Sequence, residues 1–333
     1  MGNEKILVTG TAGFIGFHTS LRLLEKGYSV VGADSFNSYY PVVLKEARSE
    51  ILRKNPNFTE RRLNLADRKG ITKLFDEFKF SAVCHLAAQA GVRYSLTNPH
   101  AYEESNLTSF LNILEMVRHR KIRRLVYASS SSVYGGNKKI PFSESDTVDN
   151  PISLYAATKK ANELMAHCYS HLYGMETVGL RFFTVYGPWG RPDMAMWLFT
   201  EAILKGKPIK VFNFGKMRRD FTFIDDIVSG IVASLFNQNL ERYEIFNLGN
   251  HKSEELMYVI SIIEEQLGIK AEKKMLTLQP GDVLESYAEI DRAQKKLGFS
   301  PSTSIEKGIP KFISWYKQNS SLVEQISKMK TGD

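Results

Sequence analysis

Residues Lys5–Phe36 read KILVTGTAGFIGFHTSLRLLEKGYSVVGADSF. The apolar run Ile6-Leu7-Val8 predicts a buried strand, and glycines 10, 13 and 16 follow it directly. They open a helical pattern from Phe14 to Lys26, after which Val30-Val31 predicts a second strand ending in Asp34. A glycine-rich turn lets backbone amides approach a pyrophosphate, and the helix N-terminus adds the positive end of its dipole. Asp34 stands roughly 20 residues beyond the turn, where a ribose-binding acid belongs. A carboxylate there accepts hydrogen bonds from the ribose 2′-OH and repels a 2′-phosphate, so the expected cofactor is NAD rather than NADP.

The alternation continues outward from this unit. Ala82-Val83-Cys84 and Leu125-Val126-Tyr127 predict further buried strands; residues 43–53, 71–78 and 99–119 predict helices. Strands alternating with helices specify a parallel sheet covered on both faces. The fold expected is therefore α/β, a Rossmann-type doubly wound parallel sheet. From about Tyr186 the pattern loosens into the loop YGPWGRPDM, a helix near 196–205 and a short strand, IKVFNF. At 333 residues the chain is long for one core, which predicts a second, smaller lobe. We expect a dinucleotide-binding domain over 1–185, with a return of segments near 220–250, and a mainly substrate-binding lobe over 186–333.

Composition narrows the classes. No apolar stretch reaches 18 residues, so no membrane span is expected, and the immediate strand pattern leaves no room for a signal peptide. Cys84 and Cys168 are the only cysteines, which fits a reducing, cytoplasmic setting and neither a disulfide nor a metal site. The net charge of +8 comes from scattered residues, and the densest basic run, Arg118–Arg124, falls where a helix ends. Nucleic acid is not an expected partner; a positive field also suits an anionic small molecule.

Two motifs carry chemistry. SLYAATKK sets Tyr155 and Lys159 on one face of a helix that Ser153 can cap. A tyrosine shuttles protons only if its pKa falls from about 10 toward neutrality. A lysine ammonium one turn away and a cationic nicotinamide would both favour the phenolate. Upstream, the strand in RRLVYASSSSVYGG (Arg123–Gly136) runs into four serines, Ser129 to Ser132. Alone, such a cluster reads as a loop.

With these residues in hand, the chain resembles the extended short-chain dehydrogenases/reductases, over about residues 4–320, and among them the nucleotide-sugar 4-epimerases. HLAAQAGVRYSLTNPHAY, LYAATKKANELMAHCYSHLYG and LRFFTVYGPWGRPDMA are especially similar to UDP-glucuronate 4-epimerases. The resemblance implies an isomerase that converts UDP-glucuronate to UDP-galacturonate through a 4-keto sugar, with a neutral UDP-sugar (UDP-glucose or UDP-N-acetylglucosamine) as the alternative substrate. It implies a homodimer through the helices near 99–119 and 153–173. Tyr155 would be the base, Ser130 its partner on the 4-hydroxyl, and Lys159 the holder of the nicotinamide ribose. Phe14, Ile15, Asn64, Leu65, Leu86, Ala87 and Ala88 would line the cofactor beside the glycines and Asp34. Asn64 departs from the Asp usual in relatives. Thr184 stands where UDP-galactose 4-epimerases carry an Asn, and Phe212, Arg219 and Asp282 would hold uracil, diphosphate and ribose.

Against that background the serines gain meaning. Related dehydratases carry Asp-Glu at the positions of Ser131 and Ser132, and decarboxylases a Glu at Ser132. Hydroxyls cannot do that acid–base work near neutral pH. They can donate to a carboxylate, or they can simply cap the strand end. Arg93 and Arg191 are both candidates to meet the carboxylate.

Overall fold

The computed structural model describes residues 5–279 and 283–330. Its centre is a sheet of seven parallel strands: β1 (Lys5–Thr9), β2 (Ser29–Asp34), β3 (Phe58–Arg62), β4 (Ala82–His85), β5 (Arg124–Ser130), β6 (Glu176–Phe182) and, far later in the chain, Tyr243–Leu248. The order across the sheet is β3-β2-β1-β4-β5-β6 and then Tyr243–Leu248. The central strands are buried on both faces, which is why they read as continuous apolar runs. Helices Phe14–Glu25 and Ile224–Phe236 cover one face, joined at the end by the stacked rings of Tyr28 and Phe236. Phe110, Ile113 and Leu114 of helix Ser109–His119 pack on the other.

Three sequence expectations change. Strand β3 (FTERR) was not expected; it is an edge strand with one buried residue, so it lacks an apolar run. The helix expected over 99–119 is interrupted by a π-turn at Glu103–Thr108. There Ser109 Oγ donates to the Glu104 carbonyl, 3.0 Å away, and Asn106 turns its side chain inward. The expected strand IKVFNF stops at Val211, because Asn213 and Phe214 adopt left-handed φ angles of 48° and 51°.

Beyond β6, β7 (Thr184–Tyr186) pairs with Phe221–Phe223, and β8 (Ile209–Val211) pairs with Lys273–Met275. β9 (Arg218–Arg219) lies between Glu254–Glu255 and Glu285–Ser286. Asp220 ties these pieces together: its buried carboxylate accepts from the Thr222 hydroxyl and from the amides of Asn250, His251 and Ala288.

Candidate functional site

Because all seven strands are parallel, their carboxyl ends share one edge, and the order reverses between β1 and β4. Ligands of such sheets bind at that switch point. Gly10 sits there with φ 75°; a Cβ on it would lie 2.8 Å from the Ala87 amide nitrogen. A Cβ on Gly16 would lie 2.0 Å from the Gly10 carbonyl oxygen, and one on Gly13 2.9 Å from it. Only glycine lets the turn fold back on the helix beginning at Phe14 and Ile15 and approach the loop Leu86–Ala88. Thr9 Oγ receives the Ala87 amide at 3.1 Å, fixing that approach.

At the end of β2, Asp34 accepts from the amides of Ala12 (3.1 Å) and Phe36 (2.8 Å). These bonds fix its carboxylate at the carboxyl end of β2. The glycine cradle and this acid fit NAD. Leu65 is buried and Leu86, Ala87 and Ala88 are half-buried at the same edge. Asn64 is engaged within the protein: its amide donates to Glu104 (2.7 Å), and its oxygen accepts from the Ala66 amide (3.0 Å).

Tyr155 opens the helix Leu154–Tyr173, capped as expected by the Ser153 side chain on the Ala156 amide at 3.1 Å. Lys159, one turn on and buried, donates to the Ala128 carbonyl of β5 at 2.9 Å. Burial raises the Tyr155 phenol, opposed by a hydrogen bond with Ser130 and by the charge of Arg191. Burial also brings the Lys159 ammonium down to about 7, since only a carbonyl compensates it.

The four serines divide into distinct jobs. Ser129 gives its hydroxyl to Glu163 at 2.6 Å, inside the protein. Ser130 turns toward Tyr155, and its oxygen also accepts the Ser132 amide at 3.2 Å. The Ser130 and Ser132 hydroxyls lie 3.2 Å apart, and Ser131 and Ser132 begin a short 3₁₀ turn, both half-buried. The strand-end cap is therefore real for Ser130.

Thr184 and Arg191 line one small cavity with Tyr186 and Phe221. Arg191 forms a fork with Asp193 (Nε–Oδ1 3.0 Å, Nη2–Oδ2 2.5 Å), and Tyr39 donates to the same carboxylate at 3.1 Å. Arg93 is separate: its guanidinium lies over the Phe212 ring, 4.9 Å from the centroid. Arg219 donates to the carbonyls of Arg218, Val283 and Leu284. Asp282 lies outside the described residues.

A profile of the family described as "Epimerase: NAD dependent epimerase/dehydratase family" matches residues 6–249. The chain belongs to that family. It is 47% identical to UDP-glucuronate 4-epimerase 1 of Arabidopsis thaliana, over 95% of this chain and 77% of that one. A probable UDP-glucuronate 4-epimerase of Rhizobium meliloti is 45% identical over 95% of this chain and 97% of its own. Among solved structures, the UDP-glucuronic acid 4-epimerase of Bacillus cereus, in complex with UDP-glucuronic acid and NAD, superposes with a TM-score of 0.89. Its sequence is 36% identical, covering 94% of this chain and 99% of that chain.

Several residues of this family member escaped the sequence reading. Asn106 joins the loop after β4 to the Tyr155 helix: its side chain exchanges hydrogen bonds with the Gln89 backbone and donates to Thr158, while its own carbonyl accepts from Asn162. Glu163 pairs with Arg181 of β6 (2.8 and 2.9 Å), both almost fully buried. No local signal marks this pair: Glu163 stands four residues beyond Lys159, but its partner comes from β6.

Proposed function

We propose that this chain is a UDP-glucuronate 4-epimerase that yields UDP-galacturonate. The observation that carries the reading is the company of Tyr155: Ser130 hydrogen-bonded to it, Lys159 one turn on along the same helix, and hydroxyls at positions 131 and 132 where elimination or decarboxylation would need carboxyl groups. NAD, held by the glycine turn, Asp34 and Lys159, would supply the hydride acceptor and donor for C4 of the sugar. Tyr155 takes the proton of the 4-hydroxyl and later gives it back, with Ser130 orienting that hydroxyl. Lys159, turned to the Ala128 carbonyl, holds the nicotinamide ribose. Asp34, Gly10, Gly13 and Gly16 hold the rest of the dinucleotide, with Asn64 near the adenine.

On the sugar side Arg191, Thr184, Ser131 and Ser132 receive the carboxylate. The 4-keto intermediate is a β-keto acid, which loses carbon dioxide when the breaking bond aligns with the carbonyl π system. Donors on the carboxylate hold that bond out of line. Arg93, stacked on Phe212, belongs at the uracil end. Arg219 meets the diphosphate, and Asp282 the ribose. In this reading residues 1–185 with the returning strand form the NAD-binding domain, and 186–333 mainly the UDP-sugar lobe. The protein works as a homodimer in the cytoplasm, its exposed Leu111, Leu164 and Leu172 covered by the partner copy.

The test is to incubate the protein separately with UDP-glucuronate, UDP-glucose and UDP-N-acetylglucosamine and to identify products by NMR. UDP-galacturonate as the fastest-formed product supports the reading. Faster epimerisation of a neutral sugar, or release of a UDP-pentose, overturns it.

A further inference from the structure

The backbone that presents Arg191 is gripped from the dinucleotide side of the molecule. His18 Nε2 meets the Pro188 carbonyl at 2.9 Å, and burial holds this imidazole down at about 4, so it is neutral and donates. The Phe17 ring packs on Trp189 at 5.6 Å, and Trp189 itself has φ 61°, a conformation that its bulky side chain rarely adopts. A strained tryptophan needs its surroundings to hold it.

Arg48 completes the grip. It sits on the helix Val42–Arg53 with no exposed surface. Nη1 donates to the Ala12 carbonyl at 2.7 Å and to the Tyr40 hydroxyl at 2.8 Å. Nη2 donates to the carbonyls of Trp189 at 2.6 Å and Gly190 at 3.3 Å. All four acceptors are neutral, although burying a charge is costly. An apolar side chain would fill the space at less cost. What it could not do is bond two separate loops through one rigid planar group.

The loops so joined are the glycine turn, whose Ala12 amide is bonded to Asp34, and the segment immediately before Arg191. We propose that Arg48 is a positioning residue that sets Arg191 toward the sugar carboxylate by fixing the Trp189–Gly190 backbone against the dinucleotide turn. It makes uronate selectivity a property of two loops rather than of Arg191 alone. This rests on the reading that Arg191 meets the carboxylate.

The experiment measures binding of UDP-glucuronate and of UDP-glucose by calorimetry to the NAD-loaded full chain. It compares Arg48→Met, Arg48→Lys, Arg191→Met and the Arg48→Met/Arg191→Met double variant. The Arg48 variants should each weaken UDP-glucuronate about tenfold or more and UDP-glucose by less than about twofold. The double variant should bind UDP-glucuronate no more weakly than Arg191→Met, because both changes remove the same contact. Lysine keeps the charge but lacks the rigid fork that holds the two loops at a fixed spacing, so Arg48→Lys gives the same readout if Arg48→Met does not fold. Equal weakening of both ligands, or additive losses in the double variant, reduces Arg48 to a structural residue and overturns the inference alone. An Arg191→Met variant that keeps full UDP-glucuronate affinity overturns the carboxylate reading, and the inference with it.

Discussion

Glu163→Gln is the most informative single substitution away from the reacting atoms. The Glu163 carboxylate accepts from Arg181 Nε at 2.8 Å, from Arg181 Nη2 at 2.9 Å and from the Ser129 hydroxyl at 2.6 Å. The side chains of Glu163 and Arg181 are 2% and 4% exposed, so water cannot replace what is lost. Removing one member of a buried pair leaves an uncompensated charge and costs about 3–5 kcal/mol. Arg181 then keeps one neutral amide oxygen of the new side chain, the Tyr134 hydroxyl at 3.0 Å and the face of that ring, none of which carries a compensating charge. At ~1.4 kcal/mol per decade, the folded-to-unfolded ratio should fall by roughly a hundred- to several-thousand-fold. Urea denaturation of wild type and variant, with m-values compared, reads this directly. Replacing both partners, Glu163→Leu with Arg181→Met, should recover most of the loss because no charge is then stranded. A Glu163→Gln variant within about 1 kcal/mol of wild type, or a double variant as damaged as the single, refutes the reasoning.

Four further outcomes follow from the site. Tyr155→Phe should lower turnover on UDP-glucuronate about 10²–10⁴-fold with binding nearly unchanged, measured by NMR turnover and calorimetry; near-full activity would mean the base is elsewhere. Asp34→Ala should narrow the preference for NAD over NADP, read from cofactor titrations, because the carboxylate that repels a 2′-phosphate is gone. Ser131→Ala with Ser132→Ala should cost about 3–6 kcal/mol in uronate recognition while sparing a neutral sugar. Mass spectrometry of the products then shows whether a pentose leaks. Lys159→Met should abolish activity yet unfold at a higher temperature than wild type at neutral and acidic pH. Burial depresses the lysine from 10.5 to about 7, so the unfolded chain binds its proton more tightly between those values. Wild-type stability from this group therefore rises with pH across that window, and the gap between the two proteins should close toward about pH 10 in melts at fixed NAD.

Where local pattern determined structure, the sequence was readable. The strand, glycine turn, helix and acid of Lys5–Asp34 follow one another along the chain, and every reason for them is local. The cap by Ser153 is equally short-range. β3 was missed because an edge strand needs few apolar residues. The π-turn was missed because Asn106 is explained only by Gln89 and Thr158, which are far off in sequence. Nothing local sets Ser129 apart from the serines that follow it; the Glu163 carboxylate that takes its hydroxyl lies on a later helix. Arg191 and Arg93 could not be told apart in sequence; the ring of Phe212 under Arg93 and the Asp193 carboxylate forked by Arg191 place them in different surroundings. Buried charge pairs are long-range facts, and a single sequence does not display them.

The late return of strand Tyr243–Leu248 to the edge of β6 bears on how the protein is made. β6 is complete at Phe182, but its outer row of amides and carbonyls finds a partner only after about sixty more residues have been added. At ~5–20 residues per second on the ribosome, that edge stands open for roughly 3–12 s. An unpaired strand edge templates wrong partners. A fragment ending near residue 185 would keep the edge open permanently, and should be recovered as aggregate while the full chain is not. The stop point for any shortened version of this protein is therefore past Leu248, whatever part of the chemistry it is meant to keep.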